Sequence, residues 1–113
     1  MKTSSAKAKG RRAAALLREK LLAAAPELQP DDIIVTSSGV KGEDLLLSPK
    51  ARTYFPFQFE VKNVEKLNIW EAYQQATTHG DYTPFLAFKR NHSNMMVCME
   101  LDDFLELYTN KCD

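Results

Sequence analysis

Long apolar runs are missing from this sequence: no stretch approaches the ~20 residues that cross a bilayer, so no membrane-spanning segment is expected. Cysteine is scarce. Among 113 residues only Cys98 and Cys112 carry a thiol, and neither stands in a C-x-x-C or C-x-x-H spacing. That argues against a disulfide framework and against a zinc site. Internal repeats are lacking, and low complexity is confined to a short Ala/Lys/Ser leader. The N-terminal MKTSSAKAKGRR is basic but has no apolar signal core, so a cytoplasmic location is expected. Net charge is zero, a sum that hides an asymmetry. Residues 1–20 hold seven Lys or Arg against one acid, Glu19, and residues 100–113 hold five acids against Lys111. A basic end of this kind is either a phosphate-binding arm or a solvated tail. Composition does not choose between them.

What is present is ordinary in amount: 44% of residues are hydrophobic, enough for one domain with a modest core. Ala13, Leu17, Leu21 and Ala24 fall on one helical stripe, which predicts a helix from about Lys9 to Ala25 that Pro26 ends. Residues 1–8 then form a flexible basic leader to a single domain at 9–113. Strands are predicted at DIIVTSS (32–38), DLLLS (44–48) and YFPFQFEVKN (54–63), the last two paired as a hairpin. Asn68 caps a helix with Glu71 at the capping-box position and Gly80 ends it. PFLAFKR (84–90) and MMVCMEL (95–101) read as two more strands, and Asp102 starts a last helix. The order α-β-β-β-α-β-β-α implies an α/β or α+β domain, with helices packed on a mixed sheet.

The third strand puts Phe55, Phe57, Phe59 and Val61 on one face and Gln58, Glu60 and Lys62 on the other. If the hairpin forms, Asp44 comes beside Glu60 with Lys62 next to both. Two converging carboxylates make a site for a hard divalent cation, with the backbone carbonyl of Val61 as a third oxygen ligand. Magnesium held there would supply an activated water for phosphodiester hydrolysis, and Lys62 would orient that water or neutralise phosphate charge. The competing reading is plain: a lone E-x-K on a strand is commonly a surface ion pair worth under about 1 kcal/mol. Asp31 and Asp32 read as turn residues, Glu43 as pointing opposite to Asp44, Asp102 and Asp103 as a helix cap and first-turn acid, and His79 and His92 as surface-loop or helix-end residues without a partner at ligand spacing. Trp70 and Tyr73 lie at helical spacing, which favours packing over base stacking.

A G-x-D turn, a strand, E-x-K and then a helix carrying Gln form a combination that resembles the PD-(D/E)XK nuclease superfamily. The closer likeness is to small phage-encoded, Holliday-junction-resolvase-like endonucleases, carried by KGRR (9–12), PDDIIVTSSGVKGEDLLLSPKARTYFPFQFEVKN (30–63), LNIWEAYQQA (67–76) and PFLAFKRN (84–91). It implies a restriction-endonuclease-like α/β fold, a host-cytoplasm setting, Asp44, Glu60 and Lys62 as the metal-binding and catalytic set, and Gln75 (or Gln74) as a supporting glutamine. Mg2+ is the implied cofactor, with Mn2+ as a substitute and no organic cofactor. One departure stands out. The resemblance places a metal-linked Glu four residues after K-G on the first helix, where this chain has Ala14; either Glu19 on the same helix serves from a shifted register or the first-helix acid is dispensable here.

The expected partner is branched or duplex DNA. Its phosphates would meet Lys9, Arg11 and Arg12 on the first helix, Lys41, Lys50 and Arg52 in loops, Lys89 and Arg90 at a strand end, and the hydroxyls of Ser37 and Ser38. Such contacts read backbone shape, not sequence. Resolving a four-way junction takes two symmetric cuts, so a two-fold homodimer is expected. The alternatives are a nicking or flap nuclease with the same site, and a nucleic-acid-binding module without catalysis.

Overall fold

The computed structural model describes residues 2–36 and 42–110. Helix α1 runs Lys2–Ala24, so it begins seven residues before the expected start and takes in most of the basic leader. It packs through Ala13, Ala14, Leu17 and Leu21, all buried. Ala24, expected on that stripe, is exposed; Ala25, one residue beyond the helix, is buried in its place. Arg18 ties the helix to the next segment, its Nε donating to the Ile33 carbonyl at 2.6 Å and its guanidinium also to that of Pro30. Those carbonyls frame a 3-10 turn, Pro30–Asp32.

Strand β1, Ile33–Val35, and strand β2, Leu45–Leu47, are shorter than the sequence predicts and pair antiparallel, Ile33 opposite Leu47 and Val35 opposite Leu45. Ile33 and Leu45 are fully buried. The expected hairpin of β2 with the third strand does not form. Ser48 and Pro49 start a helix instead, α2, Pro49–Tyr54. The Ser48 hydroxyl accepts from the Ala51 N–H at 3.1 Å, and proline at the first helical position costs no hydrogen bond because its missing N–H would have gone unused. Strand β3, Phe57–Asn63, therefore begins three residues later than predicted and finds its ladder elsewhere.

That partner is strand β4, Thr83–Lys89, parallel to β3 from Phe57 opposite Thr83 to Asn63 opposite Lys89. Helix α3, Ile69–Thr77, makes the crossover that a parallel pair requires. Asn68 caps it as predicted, accepting from the Glu71 N–H at 3.1 Å. Strand β5, Met96–Cys98, joins β4 antiparallel, and helix α4, Leu101–Asn110, follows. The result is an α/β domain with a mixed β3-β4-β5 sheet, a separate β1-β2 ribbon and flanking helices.

The two faces of β3 have different neighbours. Phe57 and Phe59 pack with Phe85 at centroid separations of 5.0 and 4.8 Å, and with Val61 they belong to the buried cluster that includes α1. Gln58, on the other face and 1% exposed, clamps the end of α3. Its Nε2 donates to the Ala76 carbonyl at 2.8 Å and its Oε1 accepts from the Tyr82 N–H at 2.9 Å. Between those anchors lies Gly80, whose φ is +156° and where a Cβ would stand only 3.3 Å from the Gln58 Oε1, so a side chain there has little place.

Candidate functional site

Glu60 and Lys62 follow Gln58 at the strand's two-residue period, so both project toward α3. There they line a pocket of about 460 Å³ with Gly42, Asp44, Gln75, Thr78 and His79. Asp44 reaches it without the hairpin. Its backbone N–H donates to the Phe59 carbonyl at 3.1 Å, the rung that joins the start of β2 to the outer edge of β3. Its Oδ2 then accepts from the Val61 N–H at 2.6 Å. The Phe59 carbonyl and the Val61 N–H both point at Asp44, so the Val61 carbonyl faces the same edge, away from β4.

The carboxylates sit in a charged and partly dry setting. Burial pushes the Asp44 carboxyl above the ordinary aspartate range; the Val61 N–H, Lys62 and His79 pull it back, and nearby Glu60 pushes it further up. Glu60 is held at both oxygens, one 3.2 Å from the Lys62 Nζ and the other 2.6 Å from the His79 Nε2. The E-x-K ion pair thus exists, but inside a pocket that a second carboxylate shares. The Lys62 side chain is the most open of the three at 30%, against 10% for Glu60 and 8% for His79.

His79 lies at the end of a helix, one of the two places the sequence allows it, but it is not the partnerless residue expected. Its side chain, 8% exposed, closes against Glu60 because α3 ends beside β3, with Gln58 pinning the turn that follows. No spacing links residues 60 and 79. The one usable signal was its place just before the helix-ending glycine of a crossover helix.

Gln75 lines the pocket and Gln74 does not. Glu19 is exposed on α1 and does not line the pocket either, because α1 packs on the Phe59 and Val61 side of β3. Ala14 is 4% exposed and part of the core, so a first-helix acid there would be buried among apolar groups. The α1 carboxylate of the resemblance has no counterpart in this pocket.

Several expected phosphate contacts have other employment. Arg52 grips Glu43 with both terminal nitrogens, at 3.1 and 2.5 Å, donates to the Phe57 carbonyl, and lies 4.4 Å over the Tyr82 ring. Its guanidinium is a strut of the fold, and Glu43 accordingly points away from Asp44. Lys50 is exposed and donates to the Glu27 carbonyl at 3.0 Å. Arg11 and Arg90 are exposed, while Lys9, Arg12 and Lys89 line a separate cleft. Ser37, Ser38 and Lys41 lie outside the described residues. Of the remaining acids, Asp32 is a turn residue as expected, accepting from Ser48 Oγ and the Gln29 N–H.

Among the described residues no three His, Cys, Asp or Glu side chains gather to hold an ion by themselves. Two carboxylates and a backbone carbonyl are a smaller donor set, of the kind magnesium uses because it retains several waters. The chain matches no family model, no curated protein and no solved structure.

Proposed function

We propose that this chain is a magnesium-dependent, structure-selective DNA endonuclease of the PD-(D/E)XK type, a Holliday junction resolvase that works as a two-fold dimer. One observation carries the reading: Asp44, just before β2, and Glu60 and Lys62 on β3 line one pocket. The order α1-β1-β2-β3-α3-β4 is the one this reading expects, although α2 is inserted between β2 and β3 and the β1-β2 ribbon is a sheet apart from β3-β4-β5.

Asp44, Glu60 and the Val61 carbonyl are the groups that would hold Mg2+ or Mn2+. The raised Asp44 carboxyl supports this assignment, since a buried anion is what a cation relieves. When bound, the ion supplies an activated water and neutralises phosphate charge. The remaining work falls to the protein. Lys62 and His79 fix the Glu60 carboxylate from two sides, which keeps it from turning out of the pocket. Lys62, the most open of these side chains, stabilises negative charge building on the phosphate. Gln75 presents an amide from the α3 wall to orient a water or a phosphate oxygen. A four-way junction needs two such pockets related by symmetry, which makes the dimer part of the proposal.

The test is cleavage of labelled four-way junction, flap and linear duplex DNA with magnesium or with EDTA, alongside light scattering for the dimer. Junction cutting that requires magnesium, and that falls at least about 100-fold in Glu60→Gln and Lys62→Ala, is the expected result. Equal cutting of all three substrates would remove the junction assignment. Binding without cutting would identify a catalytically inert nucleic-acid-binding module.

A further inference from the structure

The carboxyl ends of the parallel strands β3 and β4 meet a second cleft. Asn63 and Lys89 are the last residues of those strands and stand opposite each other in register. With Lys9 and Arg12 from α1 and Asn91 and His92 from the turn after β4, they line an opening of about 400 Å³. The lining contains three fixed cations and no carboxylate. Beside it, the Glu65 carboxylate accepts from the backbone N–H of the lining residue Asn91 at 2.7 Å. Asn63 adds a hydrogen-bonding group with capacity to spare, because its side-chain oxygen is buried and has no partner. Such orphaned groups are rare in folded proteins.

A ligand for this cleft must be anionic enough to hold three cations and must offer a polar neighbour for an amide. A nucleotide phosphate with its sugar or base meets both conditions. The position is also where open α/β sheets place ligands, outside the carboxyl ends of parallel strands.

We propose that this cleft is a phosphate-binding subsite for a second segment of nucleic-acid backbone, distinct from the segment entering the Asp44–Glu60–Lys62 pocket. Lys62 and Asn63 are consecutive on β3 and project to opposite faces, so the cleft and the pocket lie on either side of the strand. Filling one does not fill the other. The inference rests on the nucleic-acid part of the proposed function and not on its hydrolytic part.

The experiment uses the full chain carrying Glu60→Gln, in EDTA, so that binding is read without cutting. Fluorescence anisotropy with labelled four-way junction over a salt series compares this protein with versions adding Arg12→Gln plus Lys89→Gln, or Lys20→Gln. Lys20 is exposed on α1 outside the cleft. Each lost phosphate contact lowers the slope of log affinity against log salt by about 0.9. The double change is therefore expected to flatten the slope by nearly two and to weaken binding about tenfold or more at 0.1 M salt, while Lys20→Gln changes neither. Asn63 side-chain amide resonances in the unsubstituted chain should shift as DNA is added, a readout independent of any variant's folding.

Equal effects of the Lys20 and double changes, or unmoved Asn63 resonances, would overturn the subsite. Saturation of the cleft by a few millimolar inorganic phosphate, with loss of the DNA-induced shift, would mark a small-anion site and overturn the polynucleotide assignment. Failure of hydrolysis with the binding results intact would sink the nuclease reading and leave the cleft standing.

Discussion

Gln58 offers the sharpest check on how the pocket is built, because one buried amide holds the turn that carries His79. The perturbation is Gln58→Met, which keeps the volume and removes both hydrogen bonds. The Ala76 carbonyl would still accept from the Thr78 N–H, so its loss sits at the low end, about 1 kcal/mol. The Tyr82 N–H would lose its Gln58 acceptor on the segment entering β4, costing about 1–3 kcal/mol. Together the change should destabilise the protein by about 2–4 kcal/mol, a large share of the 5–15 kcal/mol typical of a domain. Guanidinium denaturation followed by circular dichroism measures the change directly. The His79 ring resonances should in parallel move toward those of an exposed imidazole, since its contact with Glu60 depends on the pinned turn. A variant within 0.5 kcal/mol of the parent, with unchanged His79 resonances, would refute the claim that Gln58 positions this wall of the pocket.

Asp44→Asn should abolish magnesium-dependent hydrolysis while stabilising the fold by about 0.5–2 kcal/mol at neutral pH, because Asn still accepts from the Val61 N–H and carries no charge to bury. The Asp44 carboxyl is raised in the folded state, so its charge cost is absent below the ordinary aspartate range and complete above the raised value. The stability gap between the two proteins should therefore open as pH rises through that window and close in acid, as denaturation at several pH values will show. Asp32 has the opposite sign: Ser48 Oγ, its first cause, and the Gln29 N–H hold its carboxyl below the usual range. Its contribution is present at neutral pH and lost as pH falls through the lowered value, so Asp32→Asn should flatten the acid limb of the stability curve. Arg52→Ala would leave the Glu43 carboxylate, 11% exposed, with only the Phe59 N–H to bond it, and should cost about 3 kcal/mol, the low end for a broken buried pair. A cycle with Glu43→Gln, read by urea unfolding, should show strong coupling of the two.

The parts of this protein legible in the sequence are those with a local cause. Asn68 caps α3 because its side chain lies within reach of the Glu71 N–H three residues on. The alternation of Phe57, Phe59 and Val61 against Gln58, Glu60 and Lys62 follows from the strand's period and fixes which side chains share a face. Asp44 was expected beside Glu60 for a reason that proved wrong: a hairpin was predicted, and Ser48-Pro49 makes a helix there. The meeting survives through one rung and one side-chain bond to β3. Arg52 read as an open cation because nothing in its neighbourhood announces that Glu43, nine residues earlier, and Tyr82, thirty residues later, will enclose it.

Composition and periodicity by themselves determined helices α1, α3 and α4 in outline, the faces of β3 and the pairing of Glu60 with Lys62, since these depend on neighbours within a turn or two of the chain. Only the tertiary structure decided that β3 would choose β4 over β2, that α1 would pack away from the pocket, and that His79 would close against Glu60. Those outcomes turn on which distant surfaces bury each other best, a competition among contacts far apart in sequence that no local pattern encodes.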